Sequence, residues 1–173
     1  MTAPTNHPDS PLNAPHGTPC ADGCSNSASR LNLLLSYGGW REESAVNQLP
    51  RLLEPMGIRS IRVHSGEEAT EVIDTTRIHI AVVDLAIPLR RETPQTAPCG
   101  SRILKLLSRL TAPPPTVVVR PPQSAARESV RSLADALRDG AFAVLDRPVE
   151  LERMLEVMRR VLRRHYAGHW PSN

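Results

Sequence analysis

Aromatic side chains are nearly missing from this 173-residue chain, which has one Phe, two Tyr and two Trp. Cysteine is also scarce. Cys20, Cys24 and Cys99 are too few, and odd in number, for the dense and even disulfide framework of a small secreted domain. The opening residues, MTAPTNHPDS, lack the basic and apolar regions of a secretory signal, and no apolar run approaches the ~20 residues that span a bilayer. A reducing, cytoplasmic setting without a membrane anchor is the expectation. Charge of one sign is in short supply too: the formal net charge is +3, from arginines spread over several segments. A nucleic-acid footprint would therefore have to be a local patch. What the chain has in excess is proline, 17 residues, which with the single Phe points to sizeable irregular segments. Its length suits one domain with a real core and is too short for two.

Residues 1–29 hold five prolines among Ser, Thr, Asn, Ala and Gly, a composition that buries too little apolar surface to offset the entropy of ordering it. A disordered tail is expected there, a folded domain over 30–166 and a short C-terminal tail over 167–173. Within the first tail, His16, Cys20 and Cys24 have a spacing open to a soft metal, but a tetrahedral site needs a fourth ligand and a fold around it. Chance spacing is the plainer account.

From Leu31 onward strand and helix patterns alternate. LNLLLS (31–36) reads as a buried strand closed by Tyr37, Gly38 and Gly39. Helical spacing follows at Val46, Leu49, Leu52, Leu53 and Met56, with Pro50 either kinking the helix or lying in its first turn, and Gly57 ending it. IRSIRVH (58–64) has strand character, and Ser65-Gly66-Glu67-Glu68 has the form of a capping box for a helix burying Ala69, Val72 and Ile73. A third strand lies in IHIAVVDLAIP (78–88), and a helix follows at Ile103, Leu104, Leu106, Leu107 and Leu110. TVVV (116–119) is a compact β-branched strand after three prolines, ending at Arg120. A helix with Val130, Leu133, Ala136 and Leu137 on one side stops at Gly140, Phe142 to Leu145 form a fifth strand, and a last helix runs from Val149. Five such alternations imply a doubly wound α/β domain, a parallel sheet with helices on both faces.

In such sheets the functional crevice lies beyond the carboxyl ends of the strands. That gathers Ser36 and Tyr37, Asp84, Arg120, Asp146 and Arg147. Asp84 is the residue of most interest, because a carboxylate delivered by a strand as apolar as IAVV is rarely buried without a partner. A plain turn cap is the alternative for it.

The segments RLLEPMGI, SGEEATEVI, VVDLAIP and LRDGAFAVLDRPVELERMLEVMRRVL together resemble the receiver domain of bacterial two-component response regulators, over about residues 30–165. The resemblance implies the flavodoxin-like fold, a five-stranded parallel sheet in order 2-1-3-4-5, and a signalling module rather than an enzyme. It casts Asp84 as the acceptor of a phosphoryl group from a histidine kinase or phosphotransfer protein. Ala86 would lend a backbone carbonyl to bound magnesium, Pro88 is the family's proline four residues beyond the acceptor, and Pro148 is the proline whose preceding peptide is usually cis. With no output segment in the sequence, the signal is expected to leave by protein contact with a downstream target.

The supporting positions depart from the family. Ser36 and Tyr37 stand where adjacent acidic residues hold the metal, and Glu42 and Glu43 lie a few residues later. Arg147 replaces the lysine that contacts the phosphoryl group, Arg120 the hydroxyl residue of strand four, and Val144 the usual aromatic of strand five. Arg120 and Arg147 converging on Asp84 would neutralise it permanently; one or both arginine heads lying in solvent is the alternative. Two functions follow: a phosphorylation-competent receiver, or a pseudo-receiver acting as a constitutive interaction module. Nucleic-acid binding by Arg153, Arg159, Arg160, Arg163, Arg164 and His165 is not expected, since Glu150, Glu152 and Glu156 interrupt that stripe. His165 and His169 are two ligands without a site. The long 89–99 loop is a candidate cover or partner contact, and Cys99 within it a candidate exposed thiol or an ordinary inert cysteine.

Overall fold

Alternation along the strands sorts the core into two layers. A computed structural model describes residues 31–36, 44–91, 98–122 and 126–167. The strands are β1 (Leu31–Ser36), β2 (Ile58–Val63), β3 (Ile80–Asp84), β4 (Thr116–Arg120) and β5 (Ala141–Asp146). The helices are α1 (Ser44–Leu53), α2 (Gly66–Thr75), α3 (Gly100–Ser108), α4 (Ala126–Arg138) and α5 (Leu151–His165). All strand pairs are parallel, in the order β2-β1-β3-β4-β5. This is the expected flavodoxin-like arrangement.

Leu33, Leu35, Ile80, Val82, Val117 and Val119 pack with α1 and α5 through Leu49, Leu53, Met158 and Val161. The intervening residues Leu34, Ala81 and Val83 pack with α2 and α3 through Ala69, Ile73, Ile103 and Leu107, and Val118 packs with Leu104 and Ala136. Strand side chains alternate between faces, so a central strand covered on both sides must be apolar at every position. β3 and β4 are indeed buried throughout. Each fully buried Leu of β1 contributes on the order of 2 kcal/mol.

Helix boundaries follow local chemistry. The Ser65 hydroxyl accepts the Glu68 N–H at 3.2 Å, capping α2, and the Glu68 carboxylate reaches back to the His64 N–H at 2.8 Å. Gly57 and Gly140 end their helical segments at φ 77° and 96°, where a side chain would be strained. Pro50 lies inside α1, beyond the first turn, so one hydrogen bond of that helix is missing. On α4 only Ala136 of the expected apolar side is buried; Val130, Leu133 and Leu137 face solvent. Leu52 and Met56 are also exposed, whereas Leu49 and Leu53 enter the core. Among the described residues no helix is long and apolar enough to cross a membrane.

Candidate functional site

Asp84 closes β3 at the carboxyl edge of the sheet and is fully buried. Its backbone N–H donates to the Ser36 hydroxyl at 2.7 Å, which ties the end of β3 to the end of β1. One carboxylate oxygen, Oδ1, accepts the Ala86 N–H at 2.9 Å, the turn-capping bond an Asp favours. The other, Oδ2, is held by the Arg147 guanidinium, whose side chain is 14% exposed. Asp84 thus caps its own turn and faces a cation.

Arg147 reaches this position because β5 ends one residue before it. Its backbone N–H donates to the Arg120 carbonyl at 3.1 Å, and the Arg147–Pro148 peptide is cis. Arg120 is buried and pairs through Nε and Nη2 with the Asp146 carboxylate, the Nη2 contact being 3.2 Å. Alternation accounts for this partition. Asp84 continues the face of Val82, and Arg147 that of Leu145, toward α1 and α5; Arg120 continues the face of Val118 and Asp146 that of Val144. Arg120 and Asp146 are also direct ladder partners. Arg120 therefore sits at the same edge as Asp84, with its guanidinium held by Asp146.

The N-terminus of α3 completes the surroundings. A Cβ built on Gly100 would lie 2.3 Å from the Asp84 carbonyl oxygen and 2.5 Å from the Leu85 Cα, so the helix can approach this closely only at glycine. Cys99, the residue before α3, is buried at 3% exposure rather than presented on a loop, and burial pushes its thiol pKa up. It is the inert cysteine of the two anticipated readings. Pro88 accepts the Gly66 N–H and forms an isolated bridge with Pro98. The near part of the 89–99 loop is thereby fastened to α2, where Leu89 accepts the Glu67 N–H and Arg90 pairs with Glu67 at 2.7 Å.

Gly100 escaped the sequence reading, which placed Ser36 and Asp146 at this edge without their roles as anchor of Asp84 and partner of Arg120. A small residue at a helix start, an acidic residue opposite an arginine at two strand ends, and a hydroxyl closing an apolar strand were the available signals.

Magnesium takes hard oxygen ligands in near-octahedral geometry. Asp84 Oδ1 and Oδ2 each accept a hydrogen bond, the Ser36 hydroxyl accepts the Asp84 N–H, and no cluster of three metal-ligating side chains occurs among the described residues, so these residues alone do not complete a magnesium site. Glu42, Glu43, Tyr37, His16, Cys20, Cys24 and His169 lie outside the described residues. His165 is exposed at the end of α5, its ring 5.5 Å from that of Phe142. The α5 arginines are solvated, with Arg160 paired to Glu156 at 3.0 Å.

No family model matches the chain, and no curated protein does. Solved structures do. A signal receiver domain from Vibrio parahaemolyticus, assigned to a Luxo repressor protein, aligns with TM-score 0.62 at 16% identity over 80% of this chain and 95% of that one. A CheY-like response regulator receiver domain from Methanospirillum hungatei aligns with TM-score 0.60 at 18% identity over 81% and 99%. A two-component response regulator from Clostridium difficile aligns with TM-score 0.60 at 20% identity over 79% and 99%. At such identities the likeness concerns architecture, and in architecture this chain has the fold of the response-regulator receiver domains.

Proposed function

We propose that this chain is a receiver-like signalling module of a two-component pathway, acting in the cytoplasm, with Asp84 accepting a phosphoryl group from a histidine kinase or phosphotransfer protein. The supporting observation is the pairing of Asp84, at the end of the middle strand, with the Arg147 cation from the segment after β5. An attacking carboxylate needs fixed positive charge beside it to neutralise the oxygens of the incoming group. In this reading Arg147 supplies that charge, in a planar donor geometry suited to phosphate. Attack by Asp84 Oδ2 forms the oxygen–phosphorus bond as the phosphorus–nitrogen bond of a donor phosphohistidine breaks, the electron pair leaving on the imidazole. Arg147 must first move off Oδ2 and then pair with the phosphoryl oxygens. The signal leaves as altered contact with a downstream protein.

A second reading takes up the hydrogen bonds that occupy both Asp84 oxygens. In it the Asp84–Arg147 pair is permanent and the chain is a constitutive interaction module. Incubation with acetyl phosphate and magnesium, read by intact mass with Asp84→Asn as control, separates the two. A phosphoryl-sized gain that disappears in Asp84→Asn supports the first; an unchanged mass over hours supports the second.

A further inference from the structure

Away from Asp84, the helices α2 and α3 leave a half-open groove of about 390 Å³ between them. Its floor is apolar. Ile103 and Cys99 are buried there, and Leu89 and Leu106 are half-buried. Its rim is cationic, because Arg102 and Lys105 of α3 and Arg109, the residue that caps its C-terminus, line it at a spacing of three and four residues. Lys105 is 3.7 Å from Asp139, while Arg102 and Arg109 make no ion pair among the described residues. The α2 wall, Gly66 and Thr70, carries no charge on this side.

The groove is preformed by backbone hydrogen bonds on either side. Gly66 and Glu67 donate to the carbonyls of Pro88 and Leu89, and Cys99 donates to that of Ile87 at 2.9 Å. The 87–89 segment is thus clamped to the starts of both helices. Small-ligand sites are typically concave, largely apolar and preformed, hold a few convergent polar groups, and enclose ~300–1,000 Å³. This groove is concave, largely apolar and of that size, though open on one side, and its charge selects the sign of the guest.

We infer that the α2–α3 groove is a binding site for a free single-chain anionic amphiphile, a carboxylate with an unbranched apolar body. The chain lies along Leu89, Ile103 and Leu106, and the carboxylate is received by Arg102 and Arg109. A groove of this size, open on one side, takes a medium-length chain, for which decanoate serves as the probe.

The test is titration of the ¹⁵N-labelled full chain with decanoate, read by amide chemical shifts, with decanol and decyltrimethylammonium as neutral and cationic controls. Saturable shifts at Thr70, Cys99 and Leu106, with decanoate preferred over both controls, are expected. Arg102→Gln with Arg109→Gln should weaken binding about tenfold. Thr70→Phe, at an exposed helical position, should fill the groove and abolish binding while leaving the core intact. Equal binding of the cationic control, saturable shifts centred on α4 or α5, or undiminished binding by Thr70→Phe would overturn the assignment. So would sedimentation with phosphatidylglycerol vesicles in place of saturable binding of free decanoate.

Discussion

A buried carboxylate is tolerable only while its charge is answered, and Asp84 receives that answer from Arg147. Removing one partner of a buried pair leaves the other charge uncompensated, at about 3–5 kcal/mol. Arg147→Ala should therefore lower unfolding stability in urea by about 3 kcal/mol, and the Asp84→Ala/Arg147→Ala double variant should lose less than the sum of the two single changes. Additive losses would show that the pair contributes no coupling. Arg147→Lys keeps the charge and gives up the planar fork, and should recover only part of the loss. Asp146→Ala acts on a second pair, whose carboxylate is 60% exposed but whose arginine is buried, and should also destabilise, because the Arg120 charge then loses that partner inside the fold.

Among the elements, α2 and α3 depend most on single residues. The Ser65 hydroxyl is the cap of α2, so Ser65→Ala should cost about 1 kcal/mol in thermal or chemical denaturation. Gly100→Ala is more disruptive in kind, because the added methyl group meets the backbone of Asp84 and Leu85 rather than a movable side chain. A loss of about 1–3 kcal/mol is expected, together with shifted amide resonances at Leu85 and Ala86. If Gly100→Ala left both unchanged, α3 would not be seated against β3 as described. α4 should behave oppositely. Leu137 is exposed, so Leu137→Lys should alter stability by no more than ~0.5 kcal/mol.

At the scale of the whole molecule, the edge of the sheet opposite Asp84 is closed by a cluster around His79. Its Nδ1 accepts the Asn32 N–H at 3.0 Å, its N–H donates to the Asn32 carbonyl at 2.9 Å, and its carbonyl accepts the Tyr166 hydroxyl from just beyond α5. β1, β3 and the end of α5 are joined there. Burial, followed by the nearby Arg77 charge, lowers the His79 pKa below the ordinary value of a histidine. The unfolded chain thus binds a proton at higher pH than the folded one does. Stability should be complete above about pH 6.5 and fall as the pH drops through the lower folded value. Urea unfolding at pH 7.5 and 5.5 should show that fall, and His79→Gln should flatten it; an unchanged slope would place the pH dependence elsewhere.

The sequence by itself determined the layered fold. Its strand and helix periods alternate five times, β-branched runs mark the central strands, and Ser65, Gly57 and Gly140 punctuate the helices through local chemistry that needs no distant partner. It also singled out Asp84 and Arg147, since a charged residue closing an apolar strand stands out from its neighbours. Which groups meet at the sheet's edge was decided by tertiary structure. Arg120 closes β4 and Arg147 directly follows β5, and strand register and face separate the first, held by Asp146, from the second, held by Asp84. The exposure of the α4 apolar residues, the burial of Cys99 and the closeness of Gly100 to Asp84 were likewise invisible beforehand. Each depends on the distance between segments far apart in the chain, and local periodicity carries no information about that distance.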